Sequence, residues 1–171
     1  MENIKKRKCN SGNVLRALCV YATASVVIIA AAVLKFTLME NIGSDFSVLS
    51  YILFAAIIVV ILLGHFIYLA FSRSELIGNL RVVAAIYTAI ALTVVGNVYL
   101  ESINSFLMPA MLAAFIVATL ARGRDAFCAN IFTNILILFI LLTQNHLAAI
   151  GNYYILVSKF AQGLTAGTVV S

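Results

Sequence analysis

The chain has 171 residues, of which 64% are hydrophobic and only 10% charged, and its mean hydropathy is +1.11. That composition excludes an ordinary soluble domain and implies an integral membrane protein. The net charge of +5 does not imply a nucleic-acid partner, because the basic residues lie in a short tail and in tight loops, where they report orientation.

A hydrocarbon core of about 30 Å takes roughly 20 apolar residues per helix, and six runs in the sequence qualify as candidates. The first, residues 14–34, reads VLRALCVYATASVVIIAAAVL and follows the basic stretch Lys5, Lys6, Arg7 and Lys8. Its apolar part is too long for a secretory leader and no convincing small-residue cleavage site follows, so an uncleaved anchor is expected. The second run, residues 48–71, is long and apolar and contains His65 near its end. The third, residues 82–100, holds Asn97. The fourth, residues 106–121, opens near Pro109, the single proline, in a first helical turn where a missing amide hydrogen costs little. It closes on ARGRD, read as a tight cytoplasmic turn. The fifth, residues 126–142, contains FCANIFTNILILFILL, and the sixth, residues 153–170, is blurred by Lys159 and its glycines.

Counting basic residues by alternate loops puts nine on one side, namely Lys5, Lys6, Arg7, Lys8, Arg16, Arg73, Arg81, Arg122 and Arg124, against Lys35 on the other. The positive-inside rule then places the N-terminus and, after six crossings, the C-terminus in the cytoplasm. The expected architecture is an all-α polytopic membrane bundle of about six helices. A basic tail, residues 1–13, precedes a transmembrane domain, residues 14–171.

Ionisable groups at membrane depth are costly and often functional, which singles out His65 and Lys159. For His65 the alternative is a neutral imidazole that meets water or backbone near the helix end. For Lys159 it is a side chain that snorkels to the interface. Asn130 and Asn134, four apart, share a helix face with Thr133 close by. With Asn97 they are candidates either for interhelical hydrogen bonds or for a polar pocket. Gly163 and Gly167 in GLTAG have the spacing that lets helices approach closely, within the bundle or between copies. Tyr99, Tyr153 and Tyr154 are expected at outer interfaces and Tyr68 at an inner one. The six acidic residues, Asp125 among them, all read as tail or loop residues, which argues against an intramembrane proton relay. Cys9, Cys19 and Cys128 have neither disulfide nor zinc spacing. No phosphate loop, nucleophile constellation or metal-ligand spacing is present, and no cofactor is expected.

From the second helix onward, LAFSRSELIGNLRVV and SFLMPAMLAAFIVATLARGRDAFCANI resemble the membrane region of bacterial seven-transmembrane receptors with an intracellular HD hydrolase. The likeness spans about residues 49–167. It implies a bundle set between an extracellular domain and a cytoplasmic phosphohydrolase that cleaves cyclic di-AMP. Only about a dozen residues separate Lys35 from Ser47, where the outer domain would stand, and no HD domain follows the last helix. The hydrolase needs clustered His and Asp to hold two metals, whereas His65 and His146 are the only histidines. The resemblance therefore implies a non-enzymatic sensor or scaffold of the bacterial inner membrane: a truncated product, a fragment or a stand-alone module that signals through membrane or cytoplasmic protein partners. The rival expectation is a small-molecule capture subunit of a transporter, such as a vitamin uptake system.

Overall fold

The computed structural model describes residues 11–38, 47–100, 112–121 and 123–148, with 160, 161 and 165. Among them the elements are helical, in the order α1 (Ser11–Leu38), α2 (Val48–Ser72), α3 (Ser74–Ile77), α4 (Leu80–Leu100), α5 (Leu112–Leu120) and α6 (Gly123–Ala148). Four of these, α1, α2, α4 and α6, are long and apolar enough to cross a membrane. The chain is thus a multi-pass helical membrane protein.

Helices α1 and α2 each bury one stripe and turn the rest outward. On α1 the stripe runs through Ala17, Tyr21, Ala24, Ile28 and Ala32, a helical period in which three alanines let a neighbouring backbone come close. On α2 it runs through Phe54, Ile58, Leu62, His65 and Leu69, while Ile52, Val60 and Phe71 face outward. Helix α4 is the centre of the bundle: it packs against α1, α5 and α6, and more of its surface is buried than that of α1 or α2. Helix α2 closes the other side by packing on α1 and α6.

Local chemistry sets the ends. Ser47 caps α2, its hydroxyl oxygen accepting the Ser50 amide at 3.2 Å, which satisfies one of the free donors of the first turn. At the other end the Arg73 amide donates to the Leu69 carbonyl at 2.9 Å, and Arg73 leaves the helical region at φ −141°, ψ 50°. A single turn, α3, then buries Ile77 before α4 begins.

Contacts along the helices fix their directions. Tyr21 donates to the Val59 carbonyl and Phe36 packs on Phe54, so α1 and α2 are antiparallel. Tyr99 donates to the Ala31 carbonyl and Tyr21 packs on Tyr87, so α1 and α4 are parallel. This arrangement gathers Arg16, Arg73, Arg81 and Arg124 at one end of the bundle.

The boundaries differ from the sequence reading in ways that matter. The first helix starts at Ser11 and continues to Leu38, so it takes in the end of the expected tail and Lys35, a residue assigned above to an outer loop. The fifth expected segment, 126–142, is the middle of a longer helix, 123–148, and Asp125 belongs to its first turn instead of a loop. Only 112–120 of the expected 106–121 helix is described as helix, and Pro109 lies outside the described residues. Of the segment 153–170, Phe160, Ala161 and Thr165 are helical; Lys159, Gly163, Gly167, Tyr153 and Tyr154 lie outside the described residues.

Candidate functional site

The polar side chains of the interior fall into three settings at different depths. At the arginine end, α2 and α6 are joined by a charged junction. Arg73 donates from Nε to Asp125 Oδ1 at 2.9 Å, and the Tyr68 hydroxyl donates to the same oxygen at 3.1 Å. The Asp125 side chain is 2% exposed and the Arg73 side chain 22%. Three features place the carboxylate there: the first turn of α6 favours an anion through the helix dipole, the Arg73 guanidinium neutralises it, and Tyr68 supplies a further donor. The hydrogen bond to Asp125 in turn raises the Arg73 pKa above its ordinary value. Tyr68, expected as an aromatic at an inner helix end, is part of this junction.

Deeper along the same pair of helices sits His65, 1% exposed, with no hydrogen-bond partner at either ring nitrogen among the described residues. Among the described residues it bonds to no backbone group. Aromatic rings surround it instead. Tyr87 of α4 lies 5.6 Å away at 73°, and Phe132 of α6 lies 5.5 Å away at 58°. The neighbouring Gly64 makes room for Phe132: a Cβ at residue 64 would stand 3.0 Å from Phe132 Cε1. The Tyr87 hydroxyl likewise has no hydrogen-bond partner among the described residues.

Four buried side chains of α4 and α6, Thr93, Asn97, Thr133 and Asn134, donate to their own helices. Asn97 Nδ2 donates to the Thr93 carbonyl at 2.7 Å, and Thr93 to the Ala89 carbonyl at 2.8 Å. Asn134 Nδ2 donates to both the carbonyl and the side-chain oxygen of Asn130, at 2.9 and 3.0 Å, and Thr133 to the Ala129 carbonyl at 2.7 Å. Asn130 and Asn134 do share a face, as their spacing requires. The hydrogen bond between them lies within one helix, and Asn97 stands on another.

At the end opposite the arginines, Lys35 is fully buried and its Nζ donates to the Val98 carbonyl. Val98 is in the last turn of α4, where carbonyls lack an intrahelical partner and the dipole favours a cation. Lys35 is therefore a tertiary cap on α4, which no local sequence signal announces. Between α1 and α4 lies a cleft of about 310 Å³ whose walls are apolar apart from Thr23, Thr88 and Tyr87. Cys19 and Cys128 are free thiols, and among the described residues no group of three or more His, Cys, Asp or Glu could hold a metal ion.

No protein-family model, curated protein or solved structure matches the chain.

Proposed function

We propose that this chain is a non-catalytic sensor or scaffold module of the bacterial inner membrane, similar to the membrane region of HD-hydrolase receptors. In this reading the arginine end faces the cytoplasm and the chain crosses the membrane six times. The observation that supports it is the Arg73–Asp125 pair. The two residues stand at the two ends of the segment in which the resemblance is concentrated, so that segment closes on itself at the bundle's charged end. A charged, partly exposed junction between two membrane helices is a place where a helix displacement becomes a change at the surface. Exposed Ser74 and Glu75 next to it, on α3, offer a partner a polar contact.

A capture subunit would instead need a pocket of convergent polar groups. Thr93, Asn97, Thr133 and Asn134 donate to their own helices, and the α1–α4 cleft is mostly apolar, which favours the module reading. The test is to place a photo-cross-linker at Ser74 in cells and, in parallel, to screen the purified chain against water-soluble vitamins. One discrete cross-linked cytoplasmic protein, lost in Asp125→Ala, is the expected result. Binding of a vitamin at submicromolar concentration, or hydrolysis of cyclic di-AMP by the chain alone, would overturn the proposal.

A further inference from the structure

The α1–α4 cleft and two of the arginines form one continuous feature. On α1, Arg16, Val20, Thr23 and Val27 recur at helical spacing on one face, and the last three line the cleft. On α4, Arg81, Thr88, Leu92 and Val95 do the same, and again the last three line it. The two helices are parallel, so both arginines lie beyond the same end of the cleft, and both are exposed. Thr23, Val27, Thr88 and Leu92 are exposed too, so the cleft opens on the flank of the bundle where lipid is the solvent. Buried Ala24, Ala91 and Tyr87 form its floor.

We infer that this feature is a binding site for one anionic phospholipid, with an acyl chain in the cleft and the phosphate between Arg16 and Arg81. The dimensions agree. Val20 to Val27 and Thr88 to Val95 each span seven residues, about 10 Å of helix, which fits within one leaflet's share, about 15 Å, of the hydrocarbon core. Arg16 lies four residues below Val20, about 6 Å, and Arg81 seven below Thr88, about 10 Å. From there the long side chains reach the headgroup layer. A zwitterionic lipid would also fill the cleft, but its own headgroup cation offsets its phosphate beside the two guanidinium groups; a lipid of net negative charge satisfies both parts of the site. That this leaflet is the cytoplasmic one rests on the orientation proposed above, whereas the site itself does not.

Native mass spectrometry of the whole chain released from micelles tests this and is blind to orientation. The probes are phosphatidylglycerol and phosphatidylcholine with identical chains. Two arginines at about 1 kcal/mol each correspond to a preference for the anionic lipid on the order of tenfold or more. The double variant Arg16→Gln/Arg81→Gln should reduce that preference to within about twofold, while Arg16→Lys/Arg81→Lys should keep most of it. Arg124→Gln removes an exposed charge at the same end but away from the cleft and should leave the preference unchanged. Thr88→Trp, at an exposed position of the cleft wall, should lower occupancy by either lipid. Equal retention of both lipids by the unaltered chain, an equal loss in Arg124→Gln, or undiminished occupancy in Thr88→Trp would each overturn the inference. Circular dichroism of every variant confirms that the bundle is intact.

Discussion

The interface between α2 and α6 handles polar groups in two opposite ways within a few turns. At the arginine end, Asp125 is buried yet bonded to Arg73 and Tyr68. Farther in, His65 is equally buried and its nitrogens are bonded to no described residue, with Tyr87 and Phe132 packed against the ring. The difference follows from chemistry and depth. A carboxylate that loses water needs a cation and donors, and Arg73 can supply both because part of its own side chain still reaches water. A neutral imidazole needs less, and aromatic edges and faces tolerate it at a modest cost. The junction is therefore expected to set how α2 and α6 align, and the aromatic layer to hold them together with less specificity.

If that comparison is right, the largest effect comes from Arg73→Ala. It leaves Asp125 buried without its cation, and a loss of about 3 kcal/mol is expected, near the lower end for a buried pair because Arg73 is partly exposed. Unfolding in mixed micelles measures it. Arg73→Ala/Asp125→Ala should recover a substantial part, since both charges then leave together. If the double variant is as unstable as Arg73→Ala, the pair contributes packing instead of charge balance.

Gly64→Leu attacks the aromatic layer. Its side chain would have to displace Phe132, already 3.0 Å from the position of a Cβ, and overpacking of this kind costs about 2 kcal/mol. Gly64→Ala should fall within about 1 kcal/mol of the parent, because a small shift of the Phe132 ring offsets the gain in helix propensity. A large loss for Gly64→Ala would mean that the aromatic layer is as exacting as the charged junction.

Lys35 carries the comparison to the opposite end. Lys35→Met keeps an unbranched apolar stem as far as Cε and removes the donor to the Val98 carbonyl, so about 1.5 kcal/mol should be lost. Amide hydrogen exchange should rise selectively in the last turn of α4. Uniform exchange along the helix would count against a capping role.

These residues also mark where the sequence was legible. Apolar runs located the four long helices because lipid imposes one solvent along the whole span. The run in α1 stops at Leu34 and a lysine follows, so the residue resembled a loop charge; its cap on Val98 comes from a helix 63 residues away. Asp125 resembled a turn residue for the same reason, since its partner is 52 residues distant. The single helical turn α3 left no pattern long enough to read. The Asn130/Asn134 pair was visible as shared-face spacing, but the spacing cannot tell that the amide turns back along its own helix. Local periodicity reports burial; it does not report which partner a buried polar atom finds.

His65→Phe should have the smallest effect and the opposite sign. It keeps a planar ring against Tyr87 and Phe132 and removes two buried nitrogens that have no partner among the described residues. Leaving such groups unsatisfied costs about 1 to 3 kcal/mol. Part of the gain is offset because the larger ring must fit beside Phe132, so a net rise in stability of about 1 kcal/mol is expected. Equilibrium unfolding of the variant beside the parent measures it. A loss of 2 kcal/mol or more, estimated from the penalty for breaking buried polar contacts, would mean that the imidazole holds a water or ligand the parent needs. In that case both depths of the α2–α6 interface would satisfy their polar groups, and the contrast between them would disappear.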